Sequence, residues 1–382
     1  MANVMSFPTR IVHGRGSARE LPHELKRAGA KERVFLITDQ GVLKANLLRF
    51  LVPPLEQAGL HVTVWPEAQQ NPTEANARAA AAAFASSGAD AIVGVGGGSA
   101  LDVAKAAALL SKSDAPLANW DDKNTGQPLP APLPPLVLVP TLPGTGAEAS
   151  RSAVLVLDES KVALGAPHLL ADAVILDAEL TVSLPGFLTA TAGLAALAHN
   201  LEAFAAKGDN AFAEALALDG LRRLGKHLKT AVKNGRDLEA REQLMLAAAM
   251  GGLAAQKGLG ASQSIAHALA QVANTPHGLA HALVLPTVIH FNAMSAEAKL
   301  AEAAVALGFD ARATASEAAA ALPGLVSKLR QECGLPGKLS QAGVKREQLP
   351  TLVEKALADP SHQGNPRACS EVDFERMINE AF

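Results

Sequence analysis

The chain has 382 residues, 49% of them hydrophobic, with 34 basic against 37 acidic side chains and a net charge of −3. That length buries a large core and points to two domains. A balanced charge with no basic block or acidic tail argues against nucleic acid and anionic membrane as partners.

Two cysteines, Cys333 and Cys369, without metal-type spacing argue against a disulfide framework and fit a reducing compartment. The opening Met1-Ala2-Asn3-Val4 lacks the layout of a signal peptide. The longer apolar stretches are interrupted by prolines and polar residues, so no membrane-spanning helix is expected. A cytoplasmic location is the expectation. Tyrosine is absent, which removes a tyrosine general acid.

In chain order, Val34–Thr38 reads as a strand, residues 42–58 as a helix and His61–Trp65 as a second strand. Glu74–Ser87 is Ala-rich with polar interruptions and reads as helix. Ala91–Val95 is a third strand and Asp102–Ser111 a third helix. Such alternation predicts a parallel sheet covered by helices. Pro130 to Pro140 holds five prolines and leads through a buried strand, Leu136–Val139, to the turn Pro143-Gly144-Thr145-Gly146. After Leu184-Pro185-Gly186 helical patterns run to the end. The expected domains are an α/β unit over 1–183 and an all-α unit over 184–382.

Two Gly-rich turns follow strands. Gly96-Gly97-Gly98-Ser99 opens a helix carrying Asp102 and Lys105. Glycines admit a phosphate close to the backbone, and the helix start offers free N–H groups; a plain tight turn between strand and helix is the ordinary alternative. Asp39 at the end of the first strand suits a ribose diol and repels a 2′-phosphate, favouring NAD over NADP. A helix N-cap is the equally simple reading. The second turn, Pro140 to Glu148, contributes Thr141, Leu142 and Thr145 as further cofactor-binding candidates.

Many motifs in one order resemble the iron-containing (group III) alcohol dehydrogenase family. They are Phe7-Pro8-Thr9-Arg10 with Gly14 and Gly16, Asn71-Pro72-Thr73-Glu74, Gly96 through Lys105, and Gly144-Thr145-Gly146 with Glu148. Further on come Gln256 through Gly260, His277-Gly278, Leu285-Pro286 and Asn365-Pro366-Arg367. The resemblance implies a dehydroquinate synthase-like architecture. A Rossmann-like α/β domain binds the dinucleotide, a helical domain follows, and the ligands lie in the cleft between them. It implies reversible hydride transfer between an alcohol and NAD or NADP, with a divalent metal held by one Asp and three His. It also implies a Lys near the nucleotide, here Lys161, and a homodimer or larger assembly.

Carried over residue by residue, that metal set is degraded. His199 and His277 stand at two ligand positions, Ala195 at the Asp position and Gln263 at the first His of a His-x-x-x-His pair that ends in His267. An alanine coordinates nothing, a Gln carbonyl is a weak neutral ligand, and the offsetting negative charge is gone. No metal is expected, although His267 offers a possible third nitrogen. A His general acid is expected instead, His267 or His277 with His199 beside it. Maleylacetate reductases resemble the family more distantly and are understood to act without metal. They are the alternative substrate class, and a silent nucleotide-binding protein is the alternative from another class. Arg151, Lys161 and Lys257 are candidates to meet an anionic substrate or the phosphates. His168, His281 and His290 are expected to be structural, Phe204 and Phe291 to pack in the core, and Asn365-Pro366-Arg367 to dock the C-terminus.

Overall fold

The computed structural model describes residues 5–121, 132–158, 160–165 and 169–382. Expectations on Met1–Val4, on Pro130 and on His168 lie outside them. The chain divides into two compact units: Ser6–Leu142 with Ala147–Ser183, and Leu184–Phe382 with Pro143–Gly146.

The first unit holds a six-stranded sheet, β1 (Arg10–His13), β2 (Arg33–Ile37), β3 (His61–Trp65), β4 (Ala91–Gly96), β5 (Leu136–Pro140) and, after an antiparallel pair β6 (Ser152–Leu157) and β7 (Ser160–Gly165), β8 (Ala173–Leu176). Its order is β1-β8-β5-β4-β2-β3, and every pairing is parallel. Helices α1 (Leu21–Ala28), α2 (Gln40–Lys44), α3 (Val52–Gln57), α4 (Glu74–Ser87) and α5 (Gly98–Leu110) connect the strands. The central strands β4, β5 and β8 are buried throughout, and β4 and β5 accordingly read as unbroken apolar runs. Leaving out edge strand β1, the order is that of a doubly wound sheet whose switch point lies between β2 and β4. Ligands of such sheets bind outside the C-terminal strand ends at that point.

Helix α5 lies on β4 so closely that a Cβ on Gly94 would stand 2.7 Å from the Ala104 methyl. The run of small residues is therefore a packing requirement. The helix expected over 42–58 is broken into α2, a 3₁₀ turn at Leu47–Phe50 and α3. Asn46 takes a left-handed conformation, φ 52°. Pro53 and Pro54 fit only the first turn of a new helix, since proline has no N–H to continue an old one. Strands β1, β6, β7 and β8 were not expected from the sequence.

The second unit is helical: α6 (Gly186–Ala205), α7 (Ala211–Lys233), α8 (Leu238–Ala254), α9 (Ala261–Val272), α10 (His277–Asn292), α11 (Glu297–Ala306), α12 (Ala315–Glu332), α13 (Leu349–Ala358) and α14 (Glu371–Glu380). Asn210, Asp237, Thr314 and Ser370 accept hydrogen bonds from the first-turn N–H groups of α7, α8, α12 and α14. Helix α6 is apolar all round and buried over Thr189–Ala205. Its own small residues and those facing it let neighbours approach; a Cβ on Gly193 would meet Leu228 at 2.2 Å. Gly146 (φ 70°) lets the 143–146 loop lie on α8, where an added Cβ would meet the Ala248 carbonyl at 2.2 Å. Among the described residues no helix is long and apolar enough to cross a membrane.

Candidate active site

Three helices of the second unit converge on one group of imidazoles. Helix α6 carries His199, α9 carries Gln263 and His267 four residues apart, and α10 carries His277 and His281 with the same spacing, so each pair shares one helix face. The start of α9 is fixed by Glu202 of α6. Its Oε1 accepts from the Ser262 N–H at 2.7 Å and its Oε2 from the Gln263 N–H at 3.3 Å. A carboxylate at a helix N-terminus is electrostatically favoured. Burial nevertheless pushes Glu202 up to about 7, against those hydrogen bonds.

Gln263 is the hub. Its Oε1 lies 3.2 Å from His199 Nε2 and 2.8 Å from His281 Nε2, and its amide nitrogen donates to His267 Nε2 at 2.9 Å. His281 Nε2 stands 3.2 Å from His277 Nε2, and His281 Nδ1 is 3.1 Å from Ser262 Oγ. The His267 and His277 rings stack at 5.4 Å. His267 donates from Nδ1 to Asp359 Oδ2 at 2.7 Å. Asp359, at the end of α13, also accepts from Ser264 Oγ at 3.0 Å and from the Ser361 N–H at 2.9 Å.

The electrostatics separate the roles. Burial pushes His199 down to about 4, with the Gln263 hydrogen bond opposing and His267 reinforcing, so His199 is neutral near pH 7. Burial alone would raise Asp359, but its bond and charge pairing with His267 outweigh that and hold the carboxyl well below the usual carboxylate range. An anionic aspartate therefore backs His267 and no other imidazole of the group. The bond fixes the orientation of the His267 ring.

The sequence expectations fare unevenly here. His199, His267 and His277 are brought together as expected. His281, expected to be structural, stands inside the group; its four-residue spacing from His277 was the available signal. Asp359 was missed, because no motif links it to a histidine 92 residues away. Ala195 is buried one turn before His199 and offers only a methyl. The residues present therefore do not fit an iron site of one Asp and three His at the positions implied by the resemblance. Lys257 is not available to an anionic substrate, since it is buried, bonded to Glu214 at 2.7 Å and to the Phe204 carbonyl at 3.0 Å. Arg151 and His290 are exposed. Phe204 and Phe291 are buried as expected. Asn365 is buried, bonded to Asn292 and to the Ala261 N–H.

In the first unit the switch point gathers most of the cofactor candidates. Asp39 Oδ1 accepts from the Val42 N–H at 2.9 Å, capping α2. Its Oδ2 faces Gly96, where an added Cβ would lie 2.9 Å away. Gly96 (φ 147°) and Gly97 lead into Gly98 and Ser99 at the first turn of α5. Thr141 N–H donates to the Gly96 carbonyl at 2.9 Å, and the Leu142 side chain lies over Gly97. Thr145 groups with the helical unit instead. Asp102 is turned inward, bonded to the Val154 backbone, with Lys105, Lys161 and Glu148 around it. Burial pushes its carboxyl up and the Lys105 ammonium down. Lys105 Nζ donates to the carbonyls of Ala147, Ser150 and Ser152 at 2.6, 2.5 and 2.9 Å, so it anchors that loop beneath α5.

Residues 8–178 match the family described as iron-containing alcohol dehydrogenase, and residues 189–382 its C-terminal domain. The chain is 35% identical over 374 residues to 4-hydroxybutyrate dehydrogenase of Cupriavidus necator, covering 96% of each. It is 31% identical over 387 residues to NAD-dependent methanol dehydrogenase of Bacillus methanolicus, covering both fully. The crystal structure of a 1,3-propanediol oxidoreductase superposes with a TM-score of 0.94 at 29% identity over the whole of both chains. The chain therefore belongs to the iron-containing alcohol dehydrogenase family, as an oxidoreductase of alcohols and their carbonyl counterparts.

Proposed function

We propose that this chain interconverts a small alcohol and its aldehyde or ketone with a nicotinamide cofactor, preferably NAD, and that His267 handles the proton without iron. The observation that carries the reading is the His267–Asp359 pair at 2.7 Å beside a buried imidazole group. In the reductive direction hydride passes from the reduced nicotinamide to the carbonyl carbon. The developing alkoxide oxygen takes the proton from His267 Nε2 of the imidazolium, in which that nitrogen has given up the hydrogen bond from the Gln263 amide, while Nδ1 stays paired with Asp359. Oxidation of the alcohol runs the same steps in reverse. His199, kept neutral by burial, and Gln263 hold the surrounding hydrogen bonds in place.

NAD is supported by Asp39 at the β2/β4 switch point, since its carboxylate repels a 2′-phosphate, and by the NAD-dependent relative. The family's iron set is incomplete here at Ala195 and Gln263, so no step is assigned to a metal. The test follows NADH absorbance over a panel of small aldehydes and ketones, using protein stripped of metal. Turnover by the wild type and a loss of about 10²–10⁴ in His267→Ala support the reading. Unchanged turnover in His267→Ala refutes the acid. Tight NADH binding with no turnover on any substrate replaces the enzyme with a nucleotide-binding protein.

A further inference from the structure

We propose that a groove between α12 and the loop after it binds a small ligand through an oxyanion, a phosphate or carboxylate group held by Arg330. No residue of the groove belongs to the imidazole group, so the site goes beyond the reaction above. Pro286 stands inside α10 and has no N–H to offer the Ala282 carbonyl one turn back. Arg330, in the last turn of α12, supplies the missing donor: its Nη1 bonds that carbonyl at 3.2 Å. The bond fixes the guanidinium without compensating its charge. Among the described residues the buried Nε has no hydrogen-bond partner, and no acidic side chain pairs with Arg330. The neighbouring Glu332 pairs with Lys229 instead. Burial accordingly pulls the Arg330 guanidinium below its ordinary value. Arg241 shows the contrast. It is fully buried, and its Nε, Nη1 and Nη2 donate to the Gly235 carbonyl, Thr189 Oγ1 and the Leu184 carbonyl at 3.0, 2.7 and 3.2 Å. A half-buried cation with a single acceptor is costly unless a counter-charge reaches it.

The surroundings of that cation fit an anion. Arg330 lines a cavity of about 430 Å³ to which no Asp or Glu contributes. Gly324, Ser327 and Lys328 line it from one face of α12, and Gly337 and Gln341 from the loop that follows. An added Cβ on Gly324 would meet nothing within 4 Å, so packing does not require the glycine, which leaves that side of the cavity open. Arg330 Nη2 and Gln341 Oε1 both approach Gly337, where an added Cβ would lie 3.5 and 3.7 Å from them. Gln341 Oε1 accepts from the Gly337 N–H at 2.7 Å, which leaves its amide nitrogen as a donor. A guanidinium, an ammonium, a hydroxyl and an amide thus line one space that holds no carboxylate. Arginine is the side chain whose N–H groups match two oxygens of a phosphate or carboxylate. The volume leaves room for an organic body attached to that group.

The experiment follows the melting temperature of the full-length protein against inorganic phosphate and, separately, succinate, with ionic strength held constant by chloride. The site predicts a saturable rise with at least one probe. Phosphate alone assigns a phosphomonoester ligand, and succinate alone a carboxylate. Arg330→Gln weakens the apparent affinity by about 10–100-fold. Because that change also touches the Ala282 carbonyl, Gln341→Glu is the second variant. It keeps the acceptor for the Gly337 N–H and sets beside Arg330 the carboxylate that it lacks. Its melting temperature rises without any probe, and its response to the probes is lost. The proposal is overturned by a response no larger than that to chloride, or by a saturable response that Gln341→Glu leaves intact, which places the anion elsewhere, at the cofactor loops for example. These outcomes are independent of turnover, so the proposed reaction stands or falls on its own test.

Discussion

The most informative residue is Asp359, because it singles out one of four clustered imidazoles. Replacing it with Asn keeps the shape but removes the charge and permits the wrong His267 tautomer. We expect turnover to fall by about 10²–10⁴ with cofactor affinity unchanged, measured by steady-state kinetics and NADH titration. Asp39 caps α2 and is proposed to meet the ribose, and its variant tests both. Asp39→Ala removes the α2 cap, costing about 0.5–2 kcal/mol, and removes the repulsion of a 2′-phosphate. The ratio of kcat/KM for NADPH over NADH rises; an unchanged ratio refutes the ribose role. Residue identity could be read from the sequence for His199, His267 and His277 because the motifs hold their order. Partnership could not. The pairing of His267 with Asp359 and of His281 with Gln263 depends on how α9, α10 and α13 pack, and no local spacing encodes that.

At the scale of elements, strands β2 to β5 and the long Ala-rich helices were legible. Periodicity fails where a segment is short or an edge, which is why β1, β8 and the β6–β7 pair escaped. It also misread 42–58 as one helix, because Asn46 and the Pro53-Pro54 pair act through backbone geometry and not through hydrophobic spacing. The 143–146 loop tests the packing argument. Gly146→Ala must adopt φ near +70° and clash with the Ala248 carbonyl. We expect at least about 1–2 kcal/mol of lost stability from the backbone conformation alone, measured by denaturant unfolding. Beneath α5, burial pushes Glu148 up to about 7 from 4.5, with its own backbone and Lys105 opposing. A carboxyl with a raised folded pKa contributes stability that is complete below 4.5 and is lost as pH rises through about 7. Glu148→Gln therefore gains on the wild type across that window, and a pH-independent difference in melting temperature counts against the burial argument.

For the whole molecule, the doubly wound sheet and the helical unit each serve one chemical need. The β2/β4 switch point brings together Asp39, Gly96 and Gly97, the residues proposed to meet the nicotinamide cofactor. Helices α6, α9, α10 and α13 hold a polar group that a loop would leave to solvent. What the sequence suggested about metal rested on counting two imidazoles. The fold adds His281 to the group and sets Asp359 behind His267. The most direct measurement is turnover of the wild-type protein after exhaustive removal of metal, followed by NADH absorbance with a small carbonyl substrate. The account predicts that turnover persists and that adding iron(II) does not raise it. Turnover that vanishes on stripping and returns with iron would contradict it.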